Sequence, residues 1–397
     1  MRRVLFVDDE PKILEGLQRM LRSMRDDWEM EFANSGPAAL ADLKSRPFDV
    51  VVTDMRMPGM DGAMLLSEIR QLHPQIVRIV LSGHSDQELV LSSVGPAHQY
   101  LSKPCDPELL KQTIMRACAL RDLLSNTSLT LLVSQMESLP SLPSLYMELM
   151  QQLESADPSI KKIGAIISKD LGMTAKILQM VNSAFFGLRR HISNPADAVG
   201  LLGLDIVKAL VLSIHVFSQF SQNRIPGFSL KDLWDHNMAV GVLAKKIAKS
   251  EQQHQQVVDD CFTAGLLHEC GKLVLAARLP AEYAEMLALR ERQELQTIEA
   301  ERMVFGATYS EVGAYLLGLW GLPDSIVEAV AFHQLPDQCS AGGFGPLTAV
   351  HVADYLIGES QVDAVKDTAS ADLTYLARLG LEGRIEPWRQ LVEIHND

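Results

Sequence analysis

Val51-Val52-Thr53-Asp54-Met55-Arg56-Met57-Pro58-Gly59-Met60-Asp61-Gly62 decides how the first third of the chain is read. Asp49 to Thr53 is β-branched and apolar, the composition of a short strand buried on both faces, and Asp54 stands where it runs out. Pro58, Gly59 and Gly62 predict a tight loop before a helix takes over. A carboxylate at the end of such a strand lies on the sheet edge where α/β proteins collect ligands and chemistry.

Three other stretches lead to the same edge. Val4-Leu5-Phe6-Val7 runs into Asp8-Asp9-Glu10, Ile76 to Leu81 runs into Ser82-Gly83, and Tyr100-Leu101-Ser102 runs into Lys103-Pro104. Glu29 to Ala33 is a weaker strand. Between these runs lie helical patterns: Ile13, Leu17, Met20 and Met24 after Pro11, a helix opening at Pro37, and Leu65, Ile69 and Leu72. Five strands alternating with helices predict right-handed crossovers and a doubly wound five-stranded parallel sheet. Asp8, Asp9, Asp54, Ser82 and Lys103 then emerge together. Three carboxylates against one ammonium leave excess negative charge, and like charges ~4 Å apart repel by ~4 kcal/mol at an effective dielectric of about 20. A divalent cation relieves this, and an all-oxygen set suits Mg²⁺. Asp54 is then a carboxylate nucleophile for a phosphoryl group, with Lys103 and the Ser82 hydroxyl as partners for its oxygens. An ordinary doubly wound domain with acidic loop ends is the alternative reading of any one of these residues.

The 397 residues suffice for two or three domains. Hydrophobic content of 47% and charged content of 22% are those of a globular protein. The net charge of −14 argues against broad binding to nucleic acid or anionic membrane. Cys105, Cys118, Cys261, Cys270 and Cys339 include no CxxC pair and are odd in number, which fits reduced thiols. The apolar run before Asp8 is too short for a signal peptide, and no run reaches membrane-helix length. A cytoplasmic location is expected.

The helix from Asp106 carries Leu110, Ile114, Ala117, Leu120 and Leu124 and is expected to lead into a connector over 123–138. Ser125-Asn126-Thr127-Ser128 breaks it, Leu129 to Met136 is helical again, and Leu139-Pro140-Ser141-Leu142-Pro143 closes the connector. Strand patterns then disappear. Helical spacing predicts an all-α region parted near Asn223 to Phe228. Four polar positions lie on apolar faces there: His236 with Val240, Leu243 and Ile247; His268, beside Glu269, with Cys261, Ala264 and Gly265; His333 with Ile326 and Val330; and Asp354 with Leu347 and Val350. Unpaired burial of a polar group costs about 1–3 kcal/mol, so one shared polar centre is an economical arrangement. Histidines and acids from separate helices are the ligand style of a metal phosphohydrolase. Four separately satisfied core residues are the competing reading.

Residues 1–122 resemble the receiver domain of two-component response regulators: Asp8-Asp9, the Asp54 loop ending Met57-Pro58-Gly59-Met60-Asp61-Gly62, Ser82 and Lys103-Pro104 match that pattern. The resemblance implies phosphorylation of Asp54 by a cognate histidine kinase. It implies Mg²⁺ held by Asp9, Asp54 and the Arg56 carbonyl, with Asp8 acting through water, and Tyr100 as an aromatic switch working with Ser82. Without the family, Tyr100 reads equally well as a core or surface tyrosine.

Residues 139–360 resemble an HDOD domain, a non-catalytic relative of the HD and HD-GYP phosphohydrolases. The match rests on Leu139-Pro140, Ser168-Lys169-Asp170, Val181-Asn182-Ser183-Ala184-Phe185-Phe186-Gly187, Leu201-Leu202-Gly203, Gly265-Leu266-Leu267-His268 and Trp320-Gly321-Leu322-Pro323. An active HD site carries Asp directly after its His, where this chain has Glu269. Tyr309 and Gln334 also stand where histidines are common. His236, His268, Glu269, His333 and Asp354 are therefore expected to line a degenerate pocket without catalysis or a firmly bound metal. Residues 361–397 form a helical extension.

The expected function is a phosphorylation-controlled response regulator whose HDOD domain binds another signalling protein, with a homodimer paired through 106–136 as one output. The alternative is a phosphorylation-gated metal-dependent phosphohydrolase of cyclic nucleotides or dinucleotides. DNA binding is disfavoured, since Arg189-Arg190-His191 is a short cluster without a helix-turn-helix.

Overall fold

The computed structural model describes residues 1–82, 96–123, 126–136, 139, 143–153, 155, 158–182, 191–204, 207, 225–339, 343–360 and 371–393. Most of the run from Val181 to Gly187, both Arg189 and Arg190, and part of the parting expected near Asn223 to Phe228 lie outside the described residues. The chain divides into two compact units, the first made of Met1–Glu137, Gln179–His191 and Gly318–Gly321 and the second of the remainder.

In the first unit, strands β1 (Arg2–Val7), β2 (Trp28–Ala33), β3 (Val50–Asp54), β4 (Val77–Ser82) and β5 (Gln99–Ser102) form one sheet in the order β2-β1-β3-β4-β5. Every neighbouring pair is parallel. Val50, Val51 and Val52 are all buried, so successive side chains on both faces need apolar cover. That explains why β3 is continuous in hydrophobicity rather than alternating. The helices are α1 (Pro11–Met20), α2 (Gly36–Ser45), α3 (Gly62–Leu72), α4 (Pro107–Leu123) and α5 (Thr127–Ser134). Ser35 and Asp61 cap α2 and α3 by accepting from the Ala38 and Met64 amides. Leu5, Val51, Met55, Leu65, Ile69 and Tyr100 belong to one core cluster.

Within the stretch expected to break the connector, Asn126 starts a helix. The Asn126 side chain accepts from the Ser128 and Leu129 amides, which satisfies donors that α5 leaves free at its first turn. The buried face of this connector is Leu129, Val133 and Met136.

The second unit contains no strand among the described residues. Its centre is built by α6 (Leu230–Ser250), α7 (Gln255–Leu267), α8 (Cys270–Arg278), α9 (Tyr309–Leu319), α10 (Asp324–Phe332) and α11 (Pro346–Ser360). Two glycine contacts set helix spacing here. A Cβ on Gly265 would lie 2.7 Å from the Gly241 Cα, and one on Gly271 would lie 1.8 Å from the Tyr309 carbonyl oxygen. Backbones this close bring α6 to α7, and α8 to the start of α9. No helix among the described residues is long and apolar enough to cross a membrane.

The C-terminal extension belongs to the same unit. Its described part holds helices α12 (Leu373–Arg378) and α13 (Ile385–Glu393). Trp388 is completely buried, and its indole N–H donates to Glu251 Oε1 at 2.9 Å, which also accepts from Arg384 Nε at 2.8 Å. Trp388→Ala is expected to destabilise the second unit by about 3–5 kcal/mol, the usual cost of emptying a buried aromatic site, read as a lowered denaturant midpoint.

Candidate functional site

The receiver site forms where β1, β3, β4 and β5 end on one edge. Asp8 follows β1 and is buried, Asp54 closes β3, Ser82 closes β4, and Lys103 follows β5. This edge includes the point where strand order reverses about β1 and β3, the usual place for a ligand crevice. The Lys103 ammonium bridges two acids, 2.7 Å from Asp8 Oδ2 and in direct contact with Asp54 Oδ1. The Lys103 amide donates to the Ser82 carbonyl at 2.8 Å, which fixes the root of the side chain. Asp54 Oδ2 accepts from the Arg56 amide at 3.1 Å, and Asp8 Oδ1 from the Glu10 amide at 2.9 Å.

The loop after Asp54 is shaped by its glycines. Gly59 adopts φ +79°, which L side chains avoid. A Cβ on Gly62 would lie 2.2 Å from the Asp54 carbonyl oxygen, while the Gly62 amide donates to Met55. The loop therefore folds against the backbone of the acid that it follows.

Burial pushes the Asp54 carboxyl above the usual carboxylate range, against the pull of Lys103, with Asp8 adding to the rise. Burial works to lower the Lys103 ammonium, but its bonds to Asp54 and Asp8 outweigh that and hold it raised. The Ser82 hydroxyl is buried with no hydrogen-bond partner among the described residues. Tyr100 is buried in the core cluster. Asp9 is half-buried; among the described residues, the ligand groups close enough to share one ion lie in the second unit, not here. Oxygen donors from Asp8, Asp9, Asp54 and the Arg56 carbonyl suit a hard cation such as Mg²⁺, and the position between Asp8 and Asp54 is the one the ammonium takes.

The second unit brings the four polar residues of its apolar faces, and Glu269 beside them, into one pocket. His236 lies on α6, His268 follows α7, Glu269 precedes α8, His333 follows α10 and Asp354 lies on α11. His236 Nε2 is 3.1 Å from Asp354 Oδ1. His268 Nε2 is 3.7 Å from the same oxygen, too long for a hydrogen bond, and has no hydrogen-bond partner among the described residues although wholly buried. Its Nδ1–H donates to the Gly265 carbonyl at 2.7 Å, which leaves Nε2 facing the pocket. Ligand atoms of His236, His268 and Glu269, and of His268, His333 and Asp354, lie within 4.8 Å of one another in each group.

Other residues already engage part of this donor set. Lys272, one turn after Glu269, contacts Glu269 Oε1 directly and lies 4.6 Å from the centre of the Tyr309 ring, a cation–π distance. The Tyr309 hydroxyl is 2.9 Å from His333 Nε2. Because His333 Nδ1–H donates to the Val330 carbonyl, Nε2 is the acceptor. Burial would raise Glu269, but Lys272, His236 and His268 hold it down to about 2. Burial would lower His236, yet Glu269 and Asp354 keep it raised, whereas burial and His268 push His333 down to about 3. Glu269 is thus engaged by Lys272, His333 by Tyr309 and His236 by Asp354, and among the described residues His268 Nε2 is the ligand atom of this pocket without a hydrogen-bond partner. Lys272 was not evident in the sequence; its i,i+3 spacing from Glu269 was the available signal.

The response regulator receiver domain family matches residues 4–115 and the HDOD domain family residues 139–336. An uncharacterized protein of Treponema pallidum (strain Nichols) is 26% identical over 298 residues, covering 72% of this chain and 54% of that protein. The hydrogenase transcriptional regulatory protein HoxA of Cupriavidus necator is 38% identical over 116 residues, which is 29% of this chain and 23% of HoxA. The chain thus spans about half of the first relative and about a quarter of the second. The crystal structure of the MmoQ response regulator of Methylococcus capsulatus str. Bath aligns with a TM-score of 0.50 at 24% identity, covering 64% of this chain and 98% of that one. At that identity the likeness speaks to the fold. The chain therefore carries a response regulator receiver domain at its N-terminus and an HDOD domain after it.

Proposed function

We propose that Asp54 accepts a phosphoryl group from a histidine kinase and that the HDOD domain is the output, binding a signalling protein in the cytoplasm. The observation that carries this is the Lys103 ammonium lodged between Asp8 and Asp54 beside the buried, unpartnered Ser82 hydroxyl. An Asp54 carboxylate oxygen forms the bond to phosphorus as the N–P bond to the donor imidazole breaks, and the imidazole departs with the electron pair and takes up a proton. Asp8, Asp9, Asp54 and the Arg56 carbonyl would hold Mg²⁺, which would supply charge neutralisation at the phosphoryl oxygens. Lys103 turns from the carboxylates to one of those oxygens, and Ser82 donates to another.

A second reading, phosphohydrolysis in the HDOD pocket, draws on the buried His268 Nε2, which has no hydrogen-bond partner among the described residues. The engagement of Glu269 by Lys272 and of His333 by Tyr309 favours the binding role instead.

Pull-downs with the full chain test the output. Protein loaded with beryllofluoride is expected to differ from Asp54→Asn in partner recovery by about 5- to 150-fold, the range of a ~1–3 kcal/mol coupling. Equal recovery of the same partners by both forms would remove phosphorylation control from the proposal.

A further inference from the structure

Arg78 is the charged residue inside an otherwise apolar strand, and it is almost completely buried. Its guanidinium donates to a set of backbone carbonyls: Nε to Pro96 at 2.6 Å, Nη1 to Pro74 at 3.0 Å and Ile76 at 3.1 Å, and Nη2 to Ser134 at 2.8 Å. Ser134 is the last residue of the connector helix α5. Its carbonyl is among those that a helix leaves without an internal partner, and it sits at the negative end of the helix dipole.

His98 joins the same carbonyl. The Arg78 amide donates to His98 Nδ1 at 3.2 Å, so the ring proton is on Nε2, 3.0 Å from the Ser134 oxygen. Arg78 Nη2 and His98 Nε2 therefore donate side by side to one acceptor, which accounts for their separation of 2.8 Å. Burial and the neighbouring Arg78 charge push the His98 imidazole well below its ordinary value, in keeping with a neutral ring. The His98 amide also donates to the Arg78 carbonyl at 2.8 Å, so the two residues extend the β4–β5 pairing at its N-terminal end.

We propose that Arg78 and His98 latch the connector helix onto the receiver, and that through this latch the phosphorylation state reaches the residues after 127. Both strands bearing the latch also bear the switch: Ser82 lies four residues beyond Arg78 on β4, and Tyr100 two beyond His98 on β5, with Val80 paired to Tyr100 and Ser82 to Ser102. Four residues of strand span ~13 Å. A displacement of β4 against β5 at the switch end is carried along a paired ladder to a site where one carbonyl is held jointly by both strands. The connector is then a fixed lever on the receiver and not a free tether. This rests on Asp54 being the phosphoacceptor.

Hydrogen exchange of the full chain, with and without beryllofluoride and Mg²⁺, tests it in the wild type, His98→Ala and Arg78→Met. Bound fluoride, seen by ¹⁹F NMR, reports loading separately. In the wild type the amides of 131–136 are expected to be protected and to change exchange rate several-fold on loading. His98→Ala is expected to keep its loading and lose both the protection and the response. If Arg78→Met does not fold, His98→Ala carries the test alone. A loaded wild type with unchanged exchange over 131–136, or a His98→Ala that still responds, overturns the latch. A chain that takes up no fluoride overturns the phosphoacceptor reading instead, and the ligand-free comparison of wild type with His98→Ala still decides whether these residues hold the connector.

Discussion

Asp54→Asn is expected to reduce labelling by small phosphodonors from near-stoichiometric to none, with beryllofluoride binding lost in parallel. The change is nearly isosteric, so the cause is chemical. An amide oxygen lacks the charge that makes the carboxylate a nucleophile, and it removes the Asp54 half of the ion pair with Lys103. Asp8 keeps its contact with Lys103, and the amide still accepts from the Arg56 N–H at the loop. The variant should therefore fold, and near-ultraviolet circular dichroism matching the wild type would establish that. Intact-protein mass after acetyl phosphate treatment then reads phosphorylation directly. Persistent stoichiometric phosphate on the folded Asp54→Asn variant would move the phosphoacceptor away from β3.

Much of this site was readable because parallel strands buried on both faces have an unmistakable composition. Val50 to Val52 can be placed in a sheet from their chemistry alone, and residues at the ends of such strands must share an edge once the strands are parallel. The charge count at that edge led to the expectation of a divalent cation; in this arrangement the Lys103 ammonium lies between Asp8 and Asp54. The helical pocket was legible one residue at a time, since His236, His268, His333 and Asp354 each interrupt an apolar face. Their meeting depends on helix crossings set by Gly241 against Gly265 and Gly271 against Tyr309, and such non-local contacts leave no periodic signal. The connector was the hardest to read. Asn126 is a loop residue by composition and a helix cap by geometry. The group that anchors α5 to Arg78 and His98 is one backbone carbonyl, that of Ser134, a group which every residue has and no sequence marks.

Purified protein is expected to leave cyclic dinucleotides intact, with or without Mn²⁺ or Fe²⁺, a difference of effectively all turnover from an active phosphohydrolase. Water activation by this kind of site needs a metal held by an assembled ligand set. Here the ligand groups already have partners: Glu269 contacts Lys272, Asp354 is 3.1 Å from His236 Nε2, and Tyr309 bonds His333. An arriving divalent ion would have to displace the Lys272 ammonium from Glu269 and break the His236–Asp354 contact, and the Tyr309 hydroxyl would still occupy His333 Nε2. The wild-type melting temperature is therefore expected to be insensitive to Mn²⁺. Lys272→Met, which keeps the length of the side chain and deletes its charge, should gain a metal-dependent rise by leaving Glu269 free beside His236 and His268. Hydrolysis by the wild type that vanishes in His268→Ala would show that the pocket assembles a working metal site after all, and the chain would then be a phosphohydrolase under receiver control.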